Sequence, residues 1–440
     1  MNYSEAMDFL EKTKKYGSQL GLTSIQNLMN ELGNVQDQIP VVHIGGTNGK
    51  GSVGAMLSSV FVTAGYKTGR FATPDVFSYE EEFMMDGTPI AKGRLAQLFT
   101  EVSEACKKLT DRGCPHPTRF EVETAAAFLW FSEEKCDVAL IEVGMGGATD
   151  ATNMIKKPIL SILTSISMDH TRFLGDTLSR IAEVKSGIIK KECPVVTVRQ
   201  QSEAMAVIEK RCAEVNAPLV CADVIEAEQV SELDGDISFS WKFGENPGDR
   251  WENIRLGLHG RFQVENALCA LEALKILKRE YPRLTENNIR DGLLKTYWPG
   301  RFEKIGENPD FYLDGAHNED AVKKLRKTLD STFTDRKIVY IMGVLADKDF
   351  QNMIETMFRP GDLVYTVTPD NPRALPGEEL AEQLRQKQIT AFFCENGKDA
   401  VDCALREAKQ TDVILAFGSL SYLKEIRQAY ETEMGKREKE

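Results

Sequence analysis

Short apolar runs alternate with longer stretches of helical period along most of this chain, the pattern of a mostly parallel sheet with helices on both faces. Strands are predicted at Val41–Ile44, Val138–Val143, Ile159–Ile166 and Val195–Val198, and a helix-compatible stretch, VGAMLSSVFVTAG, follows the first of them closely. Between Glu226 and Asn253 the chain is more polar and carries Gly and Pro breaks (DGDISFSWKFGENPGDRW), so an irregular β excursion is expected there. A helix is predicted over Asn266–Arg279. In TYWPGRFEKIGENPD, Pro299, Gly300 and Pro309 interrupt the periodicity, which places a domain boundary between residues 1–297 and 298–440. Beyond it the alternation resumes in FYLDGAHN, KIVYIMGVLADKD, DLVYTVTPDNP, ITAFFCENG and VILAFGSLSYL. The opening segment, MNYSEAMDFLEKTKKYG, reads as a polar amphipathic helix, and the charged residues 429–440 are expected to fray.

A chain of 440 residues with 42% hydrophobic and 28% charged residues is ordinary for a globular protein of two or three domains. The net charge of -13, with no basic patch, argues against a nucleic-acid partner. No apolar run reaches membrane-spanning length, so no membrane partner is expected. The nine cysteines are scattered without a CxxC pair, which suits reduced thiols and a cytoplasmic location rather than a zinc site or a disulfide framework.

The most informative segment is VVHIGGTNGKGS, Val41 to Ser52. A strand, a glycine-rich turn and a helix N-terminus in succession form an anion cradle. Backbone N–H groups of Thr47, Asn48, Gly49 and Gly51 would face a polyphosphate, Lys50 adds a point charge, and the Ser52 hydroxyl suits Mg²⁺. The loop departs from a strict Walker A, because Ile44 stands where the first glycine belongs and Gly51 separates Lys50 from the hydroxyl.

Further candidates fall at strand ends, where α/β enzymes bind ligands. Glu142 ends the run VALIEV before the loop GMGGATDATN, and a carboxylate there suits Mg²⁺ directly or through water. His170 follows ILSILTSISMD beside Asp169 and is a candidate ligand. In GDTLSRIAEVKSGIIK, Asp176 or Thr177 can cap a helix whose apolar stripe runs Leu178, Ile181, Ile188, and Lys185 lies within it. One account is snorkelling, with the ammonium in water. The other is a buried lysine whose neutral amine reacts with CO₂ to give a carbamate, an oxygen ligand for Mg²⁺.

GGTNGKGS, EVGMGGATDATN, SMDHTRFLGDT, EVKSGI, WPGRFE and DGAHN occur in this order, and together they resemble the folylpolyglutamate synthase / dihydrofolate synthase family of the Mur-ligase superfamily. PTRFEVETAAAFLWF and DNPRALP are also similar to family segments, and the match runs from about Val41 to Leu423. The resemblance implies an α/β protein with an N-terminal P-loop ATPase domain and a Rossmann-like C-terminal glutamate-ligase domain, the active site lying between them. The implied activity is ATP-dependent ligation. ATP converts a folate or pteroate carboxylate to an acyl phosphate, and the amine of L-glutamate attacks it.

By the same resemblance, Lys50, Lys185 and His170 are catalytic. Mg²⁺ at two sites is held by Ser52, Thr73, Glu142, His170 and a CO₂-derived carbamate on Lys185. Gln263 and Asn266 match the glutamine and asparagine beside ATP, while Arg301 and Asp314 match nucleotide-binding residues of the second domain. Phe120, Thr149, Asp150 and Ala151 face the acceptor, and His317 and Ser419 are candidates for glutamate. A monomer is expected. Two departures bear on the acceptor: Ala148 stands where the family carries arginine, and Thr73-Pro74-Asp75 replaces Ser-Pro-His. They keep open a Mur-type amide ligase acting on a non-folate carboxylate. A P-loop switch is the reading from another class, against which a second metal site argues.

Overall fold

The structure is a computed structural model that describes residues 1–17, 21–233, 235–246 and 248–437. Its first sheet contains β1 (Val41–Gly45), β2 (Thr68–Phe71), β3 (Phe83–Met85), β4 (Thr88–Pro89), β5 (Val138–Glu142), β6 (Leu160–Leu163), β7 (Val195–Val198) and β8 (Leu219–Ala222). They lie in the order β4-β3-β2-β5-β1-β6-β7-β8. All pairs from β2 to β8 are parallel, and the β2–β3–β4 edge is antiparallel. The central strand β1 sets Val42 against Leu140 on one side and Leu160 on the other. The loops after β1, β2, β5 and β6 therefore gather at one edge, the place where parallel sheets bind ligands. The central strands are buried along their length, which is why they read as continuous apolar runs rather than alternating ones.

The second sheet is formed by β12 (Glu303–Gly306), β13 (Asp310–Asp314), β14 (Ile338–Met342), β15 (Leu363–Thr366), β16 (Thr390–Phe393) and β17 (Val413–Phe417), after β9 (Ala227–Leu233), β10 (Asp236–Lys242) and β11 (Arg250–Leu256). Its order is β12-β13-β17-β14-β15-β16, with only the β12 edge antiparallel. Aromatic and aliphatic side chains such as Tyr312, Tyr340, Met342 and Phe417 form its own core. Among the described residues, no helix is long and apolar enough to cross a membrane.

Four expectations change here. The polar stretch after Glu226 is regular rather than irregular: β9, β10 and β11 form a three-stranded sheet, in which Ile237, Phe239 and Trp241 alternate inward. The expected Asn266–Arg279 helix is Gln263–Leu277. Residues 429–437, expected to fray, lie in a helix that runs Leu423–Arg437; residues 438–440 lie outside the described ones. A single cut before Trp298 is also incomplete. One compact unit comprises Met1–Glu228, Ser240–Ile254 and Val264–Tyr297, and the other comprises Gln229–Phe239, Arg255–Gln263 and Trp298–Glu440.

The helix after β1, Lys50–Thr63, packs closely on the helix Glu286–Leu294. A Cβ at Gly292 would lie 2.5 Å from Val60 Cα, and Ser59 Oγ donates to the Gly292 carbonyl at 2.7 Å. Gly292→Ala should therefore destabilise the first unit by about 1–3 kcal/mol, the usual scale of overpacking. A thermal-unfolding midpoint unchanged from wild type would contradict this close approach.

Candidate active site

The loop between β1 and the Lys50–Thr63 helix is pinned from one side. Thr47 and Asn48 donate their N–H groups to the Ser165 carbonyl at 2.7 and 3.3 Å. Ser165 Oγ donates to the Asn48 carbonyl at 3.2 Å, and the Ser167 N–H donates to Thr47 Oγ1 at 3.1 Å. Two of the four loop amides expected to face phosphate, those of Thr47 and Asn48, are thus engaged by the segment after β6. The amides of the helix's first turn have no acceptor within the helix, the arrangement that suits an anion. Gly49, its N-cap, has φ 93°, and a Cβ there would lie 2.4 Å from Asn266 Oδ1. Only glycine allows this turn. The structure thereby brings Asn266 against the loop, while Gln263 is buried at the start of its helix.

Lys50 begins the helix and is largely covered, its side chain 17% exposed, rather than standing on an open turn. Its Nζ donates to the Thr47 carbonyl at 3.2 Å and lies 3.7 Å from Glu142 Oε1. Ser52, two residues further on, is buried. Glu142 ends β5, and Thr73 leaves β2 on the same edge, since Phe71 pairs with Ile141. Lys185 is only 4% exposed, which removes the snorkelling account. Its Nζ donates to the Gly46 carbonyl at 2.8 Å. Burial, then the positive charge of Lys50, pushes its pKa down to about 7, against the pull of Asp169 and Asp150. Thr177 caps its helix by accepting from the Arg180 N–H.

His170 is the outlying member. Its φ is 49°, its side chain is 42% exposed, and its Nε2 stands 3.9 Å from Asp169 Oδ2. Among the described residues, no three His, Cys, Asp or Glu side chains converge to hold a metal ion. The expected set contains only two such residues, Glu142 and His170, with hydroxyls and a lysine completing it.

On the acceptor side, Thr118 and Glu121 form a capping box that starts the helix Arg119–Glu133 and fixes Phe120 in its first turn. A side chain at Gly144 would meet the Phe120 ring at 2.5 Å, so the loop after Glu142 lies against that ring. Thr149 is exposed and Ala151 buried. Asp150 is turned inward instead of outward, its carboxylate accepting from the Met145 N–H at 2.8 Å and the Thr152 N–H at 3.0 Å. Asp75 is exposed, and its N–H donates to the buried Glu82, whose carboxyl burial and neighbouring Glu123 raise well above the usual range. The Ala148 N–H donates to the Val184 carbonyl at 2.8 Å, tying the loop to the residue before Lys185.

In the second unit, Asp314 ends β13 and accepts from the N–H groups of Phe302 and Ala316, both at 2.8 Å. Burial raises its pKa to about 6, opposed first by Arg301. Arg301 Nη1 donates to the Gly300 carbonyl, and His317 Nδ1 donates to the Gly315 carbonyl at 2.7 Å. Ser419 is the buried N-cap after β17, its Oγ accepting from the Ser421 N–H. Sequence reasoning missed Ser165, Ser167, His43 and Thr152. The run of small hydroxyls in ILTSIS was the available signal for the first two.

The pattern of the Mur ligase middle domain matches residues 44–274, and that of the Mur ligase glutamate ligase domain matches residues 300–420. The fold and site thus define a Mur ligase, an ATP-dependent amide ligase. The chain is 34% identical to the dihydrofolate synthase/folylpolyglutamate synthase of Bacillus subtilis over 97% of this chain and 98% of that one. It is 33% identical to the folylpolyglutamate synthase of Lacticaseibacillus casei, over 97% of this chain and 98% of the relative. A structure of Mycobacterium tuberculosis folylpolyglutamate synthase complexed with ADP and AMPPCP superposes with a TM-score of 0.85 and 28% identity over 99% of both chains. The chain belongs to the folylpolyglutamate synthase / dihydrofolate synthase family.

Proposed function

We propose that this chain, acting as a cytoplasmic monomer, adds L-glutamate to the carboxylate of a folate or pteroate through an acyl phosphate made from ATP. The observation that carries the reading is the pinned loop with Lys50 held between the Thr47 carbonyl and Glu142, and Lys185 buried beside it. Phosphoryl transfer calls mainly for positioning and neutralised charge, and this arrangement offers both. Lys50 and the first-turn amides hold the phosphates, with Asn266 beside the loop. Arg301 and Asp314 are the second unit's contributions to nucleotide binding, and His317 and Ser419 its contributions to glutamate. The two buried groups Ser52 and Glu142, one hydroxyl and one carboxylate, fit an oxygen-seeking Mg²⁺. Thr73, His170 and a carbamate on Lys185 would complete a second site. Bound there, Mg²⁺ would supply charge neutralisation for the phosphates and the acyl phosphate.

The test is phosphate release with ATP alone, with glutamate, and with glutamate plus dihydropteroate or tetrahydrofolate. Release should require both glutamate and an acceptor. Equal release from ATP alone would return the chain to a switch or simple ATPase. A second reading, ligation to a non-folate carboxylate, is favoured by Ala148 and by the acidic setting of Asp75 beside Glu82. It wins if glutamate-dependent release appears with another carboxylic acid and with neither folate.

A further inference from the structure

We propose that His43 is a positioning residue that shapes the loop after Glu142 through a buried hydrogen-bond relay running by Thr152 to Asp150. His43 lies in the centre of β1, fully buried, with Ile141 and Ser161 as its strand neighbours. Its Nε2 is 2.9 Å from Thr152 Oγ1, which in turn lies 2.5 Å from Asp150 Oδ1. An ionised carboxylate only accepts, so the Thr152 hydroxyl gives its one proton to Asp150 and must accept from His43. This fixes the ring as the neutral, Nε2-protonated tautomer. Burial, then Lys190, pushes the His43 pKa down to about 3, so the ring stays neutral at working pH.

The other ring nitrogen, Nδ1, is buried without a hydrogen-bond partner. A leucine would fill this strand position without that desolvation cost, so the Nε2 bond is what the imidazole supplies. At the far end, Asp150 Oδ1 accepts the Thr152 N–H and hydroxyl, and Oδ2 accepts the Met145 N–H. Three donors from residues 145 and 152 are thereby engaged, so Asp150 closes the 144–150 loop on itself rather than reaching outward. That loop begins two residues after Glu142, abuts Phe120, and is tied through Ala148 to the residue before Lys185. The phosphate loop has its own hydrogen bonds to Ser165 and Ser167, and none of them passes through the relay.

The kinetic arm of the test rests on the glutamate-ligase reading; the exchange arm does not. Thr152→Val, a near-isostere, and His43→Leu are compared with His43→Gln, whose amide nitrogen sits the same number of bonds from the backbone as Nε2. Hydrogen exchange read by mass spectrometry should quicken in the peptide spanning residues 144–150 of the first two variants by about tenfold or more, the effect of losing one buried hydrogen bond. Their kcat/KM for the acceptor should fall by a similar factor while KM for ATP stays within about twofold, and His43→Gln should restore both. The double variant should be no worse than Thr152→Val alone. Unchanged exchange in folded Thr152→Val would overturn the relay. So would equal damage from His43→Gln, or a matching loss of ATP binding. If wild type ligates neither folate, the functional reading fails while the exchange comparison still decides the relay.

Discussion

Lys50→Ala should lower the turnover of glutamate ligation by about 10²–10³-fold or more, the scale seen when one preorganised charge is removed from a developing anion. The side chain is held at both ends of its reach. Its Nζ donates to the Thr47 carbonyl at 3.2 Å and stands 3.7 Å from Glu142 Oε1, so the charge needs little reorganisation as phosphate moves. Folding should change little. A cation in the first turn opposes the helix dipole, and its loss offsets the packing lost with the stem. The variant carries a second signature. Because the charge of Lys50 helps hold the Lys185 pKa down, its removal should raise that pKa from about 7. Steady-state ligation and thermal unfolding of the same preparation check both points. Near-normal turnover in a folded variant would remove Lys50 from the reaction.

How far the sequence carried these conclusions depends on how local each determinant is. Parallel strands buried on both faces read as apolar runs, so β1, β5 and β7 were legible to within a residue. The predicted Ile159–Ile166 strand outruns β6 because Thr164 and Ser165 follow the apolar run yet turn their hydroxyls to the carbonyls of Gly45 and Asn48. The Gly and Pro content of Glu226–Asn253 predicts irregular structure. The period-two alternation of Ile237, Phe239 and Trp241 was the stronger signal. Lys185 could be placed because a charge inside a helical stripe is a local anomaly. His43 hid in the opposite way: one imidazole within an apolar strand reads as filler until Thr152, 109 residues away, comes within hydrogen-bond distance. For Asp150, whether a carboxylate points outward or staples its own backbone depends on donors that the sequence does not order. The assignment of residues 229–239 and 255–263 to the second unit is likewise a non-local fact.

Lys185→Ala should lose activity by orders of magnitude, and acetate should partly restore it while leaving Lys50→Ala inactive. The reasoning starts from burial. At 4% exposure, with Nζ donating to the Gly46 carbonyl, the amine is almost entirely removed from water. Desolvation, reinforced by Lys50, brings its pKa to about 7, so near neutral pH a large fraction is neutral amine. That is the form that attacks CO₂: a C–N bond forms, one N–H proton is released, and the product is an anionic carbamate. A free carboxylate entering the space left by Lys185→Ala presents similar oxygens, whereas nothing in acetate replaces the charge of Lys50. The pH dependence has a definite sign. Protonation below about pH 7 withdraws the reactive amine, so activity should depend more steeply on added bicarbonate at pH 6 than at pH 8. The stability contribution of a lysine whose pKa is depressed from 10.5 is present above 10.5 and lost as pH falls through about 7. Wild type should therefore lose stability across that window relative to Lys185→Ala. ¹³C-bicarbonate should give a carbamate carbon signal in wild type that is absent from Lys185→Ala. Full activity in wild type depleted of CO₂, with no carbamate carbon, would show that the buried amine serves as an unmodified hydrogen-bond donor to Gly46. Its substitution would then produce a packing defect that acetate does not relieve.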